Sequence, residues 1–321
     1  ELTPAQLALD PCTAGCVVTD VKTGEIRALV SYPSYDNNRM SGSVDAAYFA
    51  KLQSDMSNPL YNNATQAIKA PGSTFKPITA IAALEEGVIS LSDTIDCTGV
   101  YDQANPPINC WNKEGHGGLD IRTAIEQSCN YYFNMVGFKL GQDENGDFSE
   151  NRSLTVLQKY ASEIGLDKKT GIELTESSPQ VSNAYAVPSY IGQGTNAYTT
   201  SQLARYATAI ATSGTVYDLT LLDRQTDSKG SVLKEYEPNV INTMEVSQNV
   251  WDDIHDGMYR VVQTHKQFDG LGVQVAGKTG TAEVDGVYHP NHGMFIGYAP
   301  ATDPQYAIAV RIENGYSSGN A

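Results

Sequence analysis

The chain has 321 residues, 40% hydrophobic and 18% charged, enough for the core of one large α/β-type domain or two smaller ones. A formal net charge of −16 speaks against nucleic acid as a partner and against direct adhesion to anionic lipid. No apolar run reaches the roughly 18 residues that a membrane-spanning helix needs, and neither an initiator Met nor a signal peptide opens the chain. The cysteines are Cys12, Cys16, Cys97, Cys110 and Cys129, an odd number. At least one thiol therefore stays unpaired within the chain, which leaves metal binding, a reducing habitat or burial open.

Residues 1–14 carry little pattern and read as a connector. Residues 15–20 and 25–31 read as strands around Val21-Lys22-Thr23-Gly24, a hairpin signal. A loop or short-helix region covers 39–66. Pro71-Gly72 then marks a turn, and an apolar helix follows to Gly87, a natural C-cap. Its first turn carries Ser73 and Lys76; Pro77 lies close enough to the start that its missing N–H costs little. Residues three apart share a helix face, so hydroxyl and amine can meet. A serine needs a neighbouring base to become a nucleophile, and lysine is that base where burial and nearby positive charge hold it neutral. The helix N-terminus favours a developing oxyanion. A second S-x-x-K, Ser231 to Lys234, falls in a polar hairpin-like region with no helix start.

Residues 88–118 are loop-rich, with Cys97 and Cys110-Trp111 among Pro, Asn and Gly. Leu119 to Gln127 reads as a short helix, Ser128-Cys129-Asn130 follows, and Tyr131 to Leu140 is apolar and helical. After an acidic excursion over 141–151, Leu154 to Gly165 and Thr199 to Ser213 are amphipathic helices, separated by Gly192-Gln193-Gly194. Leu219 to Val240 is hairpin-like, Val246 to Gln263 a helix, and Val273 to Glu283 a strand that carries Lys278-Thr279-Gly280. Residues 293–298 and 305–312 are two further strands. Five strands, two early and three late, with helices between them, imply an α+β domain.

S-x-x-K, S-x-N and K-T-G in this order match the set shared by penicillin-binding proteins and class A β-lactamases. Over nearly its whole length the chain resembles the transpeptidase domain of a class B penicillin-binding protein. Gly115-His116-Gly117 resembles the G-H-G of elongation-type members. Thr200 stands where relatives usually have proline, which touches only a local turn. The resemblance implies a five-stranded antiparallel sheet covered by helices on both faces, with an all-helical lobe. Residues 1–14 would connect to an absent upstream region and 15–321 would form the transpeptidase domain. The helical part would lie mainly in 39–270, packed on a sheet from 15–31 and 273–312, without the final C-terminal helix. It implies Ser73 as nucleophile, Lys76 as base, Ser128 as proton relay, Asn130 as partner of the substrate amide, and Lys278 as a positive charge beside Ser128. Thr279, Gly280 and Thr281 would bind substrate, and the backbone N–H groups of Ser73 and Thr281 would form the oxyanion hole. Trp111 is expected to wall the donor or acceptor groove, and His116 to have a structural loop role.

The implied reaction is D,D-transpeptidation of peptidoglycan stem peptides through a serine acyl-enzyme that β-lactams also form, with no cofactor needed for catalysis. The expected setting is the outer face of a bacterial membrane, with an upstream anchor and a polytopic glycosyltransferase partner. The alternatives are a serine β-lactamase, which needs a water-activating glutamate for which only Glu173 and Glu176 lie in the right interval, and a non-catalytic penicillin-binding sensor. Directly after the third motif, Asp285, His289 and His292 have the spacing of three zinc ligands. Cys110 is the expected fourth, then Cys129, then Cys97, giving a structural Zn2+ beside the active site.

Overall fold

The structure is a computed structural model that describes residues 13–104, 106–282 and 291–315. The chain opens with the hairpin β1 (Ala14–Asp20) and β2 (Ile26–Tyr32), then α1 (Ala46–Ser54) and α2 (Lys76–Glu85). Four short strands follow, β3 (Ile95–Cys97), β4 (Val100–Tyr101), β5 (Ile108–Asn109) and β6 (Gly117–Leu119). Next come α3 (Ile121–Glu126), α4 (Asn130–Lys139), α5 (Glu150–Glu163), α6 (Ala186–Ser189) and α7 (Thr200–Ala211). Strands β7 (Thr215–Tyr217), β8 (Arg224–Thr226), β9 (Val232–Glu235) and β10 (Val240–Thr243) precede α8 (Gln248–Gln263). The chain returns to the sheet as β11 (Ala276–Ala282), β12 (His292–Ala299) and β13 (Tyr306–Ile312).

The five-stranded antiparallel sheet has the order β11-β12-β13-β1-β2, so the two early and three late strands join as expected. The β1–β13 seam runs in register from Ala14 opposite Ile312 to Asp20 opposite Tyr306. Alternation decides which face is filled: Gly15, Val17 and Thr19 of β1 are buried, and so are Ala307, Ala309 and Arg311 of β13. Helix α7 packs on that side against β1, β12 and β13, and α8 packs against β11 and α3. All twelve residues of α7 are buried, and four alanines among the twelve let it lie close to the strands. A capping box between Thr199 and Gln202 starts it, and Thr208 bonds Thr19 of β1 at 2.6 Å. The opposite sheet face is covered only in part, because the alternate residues of β1 and β13 are mostly half-buried.

Two local expectations change. The stretch 88–118 is loop-rich but pins itself with β3–β6 and β4–β5 pairs. Ser73 lies not in the α-helix but in a 3-10 turn, Gly72–Phe75, that runs straight into α2 at Lys76. His255 is half-buried; it packs beside Trp251 and Tyr298, with Nε2 2.8 Å from the Ile210 carbonyl.

Candidate active site

Three pieces of chain meet at one place: the turn that carries Ser73, the corner between α3 and α4, and strand β11. Two glycines allow the approach. Gly72 has φ +53°, and a Cβ there would lie 2.6 Å from the Thr281 carbonyl oxygen. On the strand, a Cβ at Gly280 would come within 2.8 Å of Thr74 Cγ2. The Gly72 N–H also donates to the Gly192 carbonyl at 3.0 Å, which fixes the turn from its other side.

The corner is built to present polar groups. Helix α3 ends at Glu126, Ser128 takes a left-handed conformation (φ +50°), and Cys129 caps α4, its sulfur accepting from the Tyr132 N–H at 3.4 Å. Ser128 and Asn130 thereby converge on the amine of Lys76. Lys76 Nζ lies 2.7 Å from the Ser128 carbonyl, 2.7 Å from Asn130 Oδ1 and 3.1 Å from Ser128 Oγ. Among the described residues no hydrogen bond joins Ser73 Oγ to Lys76 Nζ, so the structure holds the lysine on the second motif.

Lys76 and Lys278 are both fully buried. Burial pushes the Lys76 amine down to about 7, partly opposed by the nearby Cys129 and Cys110 thiols. Lys278 is held well below its ordinary value, first by burial and second by the Lys76 charge. Its amine donates to the Thr279 carbonyl at 3.0 Å. Two ammonium groups in one dry site repel each other, which favours a neutral amine on one of them. A cavity of about 740 Å3 opens from Asn130 and Thr281, within the size range of ligand sites. Trp111 is not in its lining. Its indole is 61% exposed, donates to the Gln127 carbonyl at 2.8 Å, and meets the His116 ring edge-on at 4.8 Å between centroids.

The residues expected to hold a metal fall in different places. Asp285 and His289 lie outside the described residues. His292 is on β12 opposite Ala282, with Nδ1 accepting from the Asn314 N–H at 3.1 Å. Cys110 instead joins Cys97, His116 and Cys129, with all four ligand atoms within 4.8 Å of one another. His116 Nδ1 is 3.5 Å from Cys97 Sγ and 3.6 Å from Cys110 Sγ, and the Cys110 and Cys129 sulfurs are 3.8 Å apart. The hydrogen bond with Cys129 holds the Cys110 thiol below its ordinary value, partly opposed by burial. His116 Nε2 is buried without a partner among the described residues. Three sulfurs and one imidazole in a closed cluster have the chemistry of a tetrahedral structural zinc site. Sequence reasoning ranked all three thiols as candidates but gave His116 only a loop role. The C-x12-C-x5-H-x12-C spacing was the available signal, and short-range ligand pairs are what a reader of sequence looks for first.

The family model "Penicillin binding protein transpeptidase domain" matches residues 14–321. The peptidoglycan D,D-transpeptidase MrdA of Haemophilus influenzae is 32% identical, with 95% of this chain and 50% of that protein aligned. The chain thus spans about half the length of that curated relative. Among solved structures, a ceftriaxone acyl-enzyme of penicillin-binding protein A from M. tuberculosis aligns with TM-score 0.84 and 26% identity, over 97% of this chain and 71% of that one. A chain from a structure entitled "Structural coordination of polymerization and crosslinking by a peptidoglycan synthase complex" aligns with TM-score 0.82 and 26% identity, over 96% of this chain and 53% of that one.

Proposed function

Because the chain belongs to the penicillin-binding protein transpeptidase family, we propose that it is the catalytic part of a peptidoglycan D,D-transpeptidase of the elongation type. The observation that carries this reading is the convergence of Ser128 and Asn130 on a buried Lys76, one residue past the turn that holds Ser73. Ser73 Oγ attacks the penultimate D-alanine carbonyl of a stem peptide while its proton passes to Lys76. Ser128 relays a proton to the departing amine, terminal D-alanine leaves, and an acyl-enzyme remains for an acceptor amine. The N–H groups of Ser73 and Thr281 hold the oxyanion, a contribution of roughly 3 kcal/mol. Asn130 binds the substrate amide; Thr279 and Thr281 receive its carboxylate, Lys278 sets its charge beside Ser128, and Gly280 keeps the strand close. Trp111, immobilised beside the second motif, walls the approach of the second peptide.

Both candidate deacylating glutamates are otherwise engaged. Glu173 accepts from Thr220 and from the Leu221 N–H, and Glu176 is buried, accepting from Thr170 and Ser201. Intact mass of the protein mixed with benzylpenicillin tests the assignment. A penicilloyl adduct stable for hours is expected, and it should be absent from Ser73→Ala. Recovery of unmodified mass within minutes would replace the transpeptidase reading by a β-lactamase.

The Cys97, Cys110, His116 and Cys129 cluster is read as a structural Zn2+ site. The ion would supply a cross-link between the β3–β6 region and the start of α4, next to Ser128 and Asn130. About one equivalent of zinc is expected by elemental analysis of protein purified without chelator, and chelation should lower the melting temperature. The setting expected from the relatives is the outer face of a bacterial membrane, in a complex with a polymerising glycosyltransferase.

A further inference from the structure

The cavity that begins at Asn130 and Thr281 is asymmetric in its chemistry. It follows α4, whose first residue is Asn130 and whose last turn carries Phe138, also in the lining. Eight residues of α-helix separate those two points by about 12 Å. Phe148 stacks on Phe138 there, with centroids 4.7 Å apart and planes 4° from parallel, and Glu150 and Tyr185 complete that end. Among the described lining residues Glu150 has the only carboxylate, and no Lys or Arg lines the cavity.

Glu150 is anchored rather than neutralised. Its Oε1 accepts from the Ala186 N–H at 3.2 Å, and no ion pair engages it among the described residues. The nearby Arg152 is directed elsewhere, with Nη1 donating to the Gly141 and Asp147 carbonyls at 2.9 and 3.2 Å. Two accessible rings share the cavity with the carboxylate, Phe148 at 38% and Tyr185 at 67% exposure. Tyr185 adopts a left-handed backbone, φ 58° and ψ 60°, in which its carbonyl accepts from Ser189 Oγ at 2.8 Å. Such a conformation costs a non-glycine residue about 1 kcal/mol or more, and it occurs here where the ring lines the cavity. A carboxylate with aromatic faces beside it is the chemistry that binds an organic ammonium.

The distance suits one particular ammonium. The reacting carbonyl belongs to the penultimate residue of the donor peptide, so the residue before it is one step of about 3.4 Å further along an extended chain. A long basic side chain adds about 6 Å, which gives its amine a reach of roughly 10 Å from the reaction centre, comparable with the roughly 12 Å of helix from Asn130 to the Phe138 end of the cavity. We propose that Glu150, framed by Phe148 and Tyr185, selects the donor stem peptide by the free side-chain ammonium of the residue that precedes the reacting D-alanine. The inference rests on the transpeptidase reading of the same cleft. Its consequence is directional: a donor whose side-chain amine is already amidated in an earlier cross-link loses the contact, so unlinked strands are used first.

The test compares acylation of the chain by two ester substrates, Nα-acetyl-L-lysyl-D-alanyl-D-lactate and its Nα,Nε-diacetyl form, which differ only in the charged amine. The parent should react about tenfold faster or more with the free amine. In Glu150→Gln, which keeps an oxygen for the Ala186 N–H, that ratio should fall towards one through loss on the amine substrate alone, at an unchanged melting temperature. A parent ratio near one, or a ratio that survives in Glu150→Gln, overturns the assignment. If benzylpenicillin acylates the parent but neither ester does, the stem-peptide reading itself fails and this inference falls with it.

Discussion

Lys76 has three polar neighbours, and in its neutral form only two protons to give them. The Ser128 carbonyl and Asn130 Oδ1, each at 2.7 Å, can only accept, so together they take both N–H groups. The lone pair is then left for a hydroxyl proton, from Ser128 Oγ at 3.1 Å or from Ser73 when substrate arrives. The amine is pushed down to about 7 because burial penalises its charge. The sign follows: below that value Lys76 is an ammonium and cannot accept a proton, and above it the base is free. The second-order rate of benzylpenicillin acylation should therefore rise about tenfold per pH unit below 7 and level off above it. A flat profile between pH 5.5 and 8.5 would remove Lys76 from the base role. Lys76→Ala should slow acylation by about a hundredfold or more while the protein stays folded by circular dichroism. These groups were legible in the sequence because each motif packs its chemistry into three or four neighbouring residues. The cluster of three cysteines and His116 was not, since its members sit on β3, the loop after β5, the approach to β6 and the cap of α4. Only the folded chain places Cys97 beside His116.

At the scale of elements, the site depends on a turn pressed against a strand with no room for a methyl group. Gly72 is strained for any other residue on two independent counts, its positive φ and the Thr281 carbonyl 2.6 Å from an added Cβ. Gly72→Ala should destabilise the fold by about 1–3 kcal/mol and lower the acylation rate further than the stability loss explains, because Ser73 and the Thr281 N–H move apart. Urea unfolding and acylation kinetics on the same sample separate the two effects. A variant with parental acylation rate would show that the turn and β11 tolerate separation. Periodicity located the long helices and the sheet strands well, α7 and α8 above all, because their buried faces repeat at the helical spacing. It missed β3 to β6, which are two or three residues long and too short to display an alternation. It also placed Ser73 within a regular helix, because a 3-10 turn that leads into an α-helix has the same hydrophobic pattern.

Across the whole molecule, the last strand of the sheet holds the segment that delivers the nucleophile. Arg311 of β13 lies between Gly15 and Met294 in the sheet register, and its side chain is fully buried. Its Nη1 donates to the Ala67 carbonyl at 2.6 Å and its Nη2 to the Asn63 carbonyl at 2.8 Å, while Glu313 Oε1 lies 3.4 Å from Nη2. Lys69 reaches the same Glu313 at 3.5 Å, so residues 63–69 are fixed from the sheet immediately before the turn at Pro71-Gly72. In sequence, Arg311 is a single charge in an apolar strand, and nothing local says that its partners lie far upstream. Burial holds its guanidinium below its ordinary value, so the two carbonyls and the Glu313 carboxylate offset a real desolvation cost. Removing the cation leaves those acceptors buried and unmatched, whereas a neutral side chain of similar length keeps the packing. Arg311→Met should therefore cost about 3 kcal/mol of stability, read from the urea midpoint. It should also slow benzylpenicillin acylation well below the melting temperature, because Ser73 loses its support from the sheet side. A midpoint and an acylation rate both equal to the parent's would mean that residues 63–69 are held in place without β13.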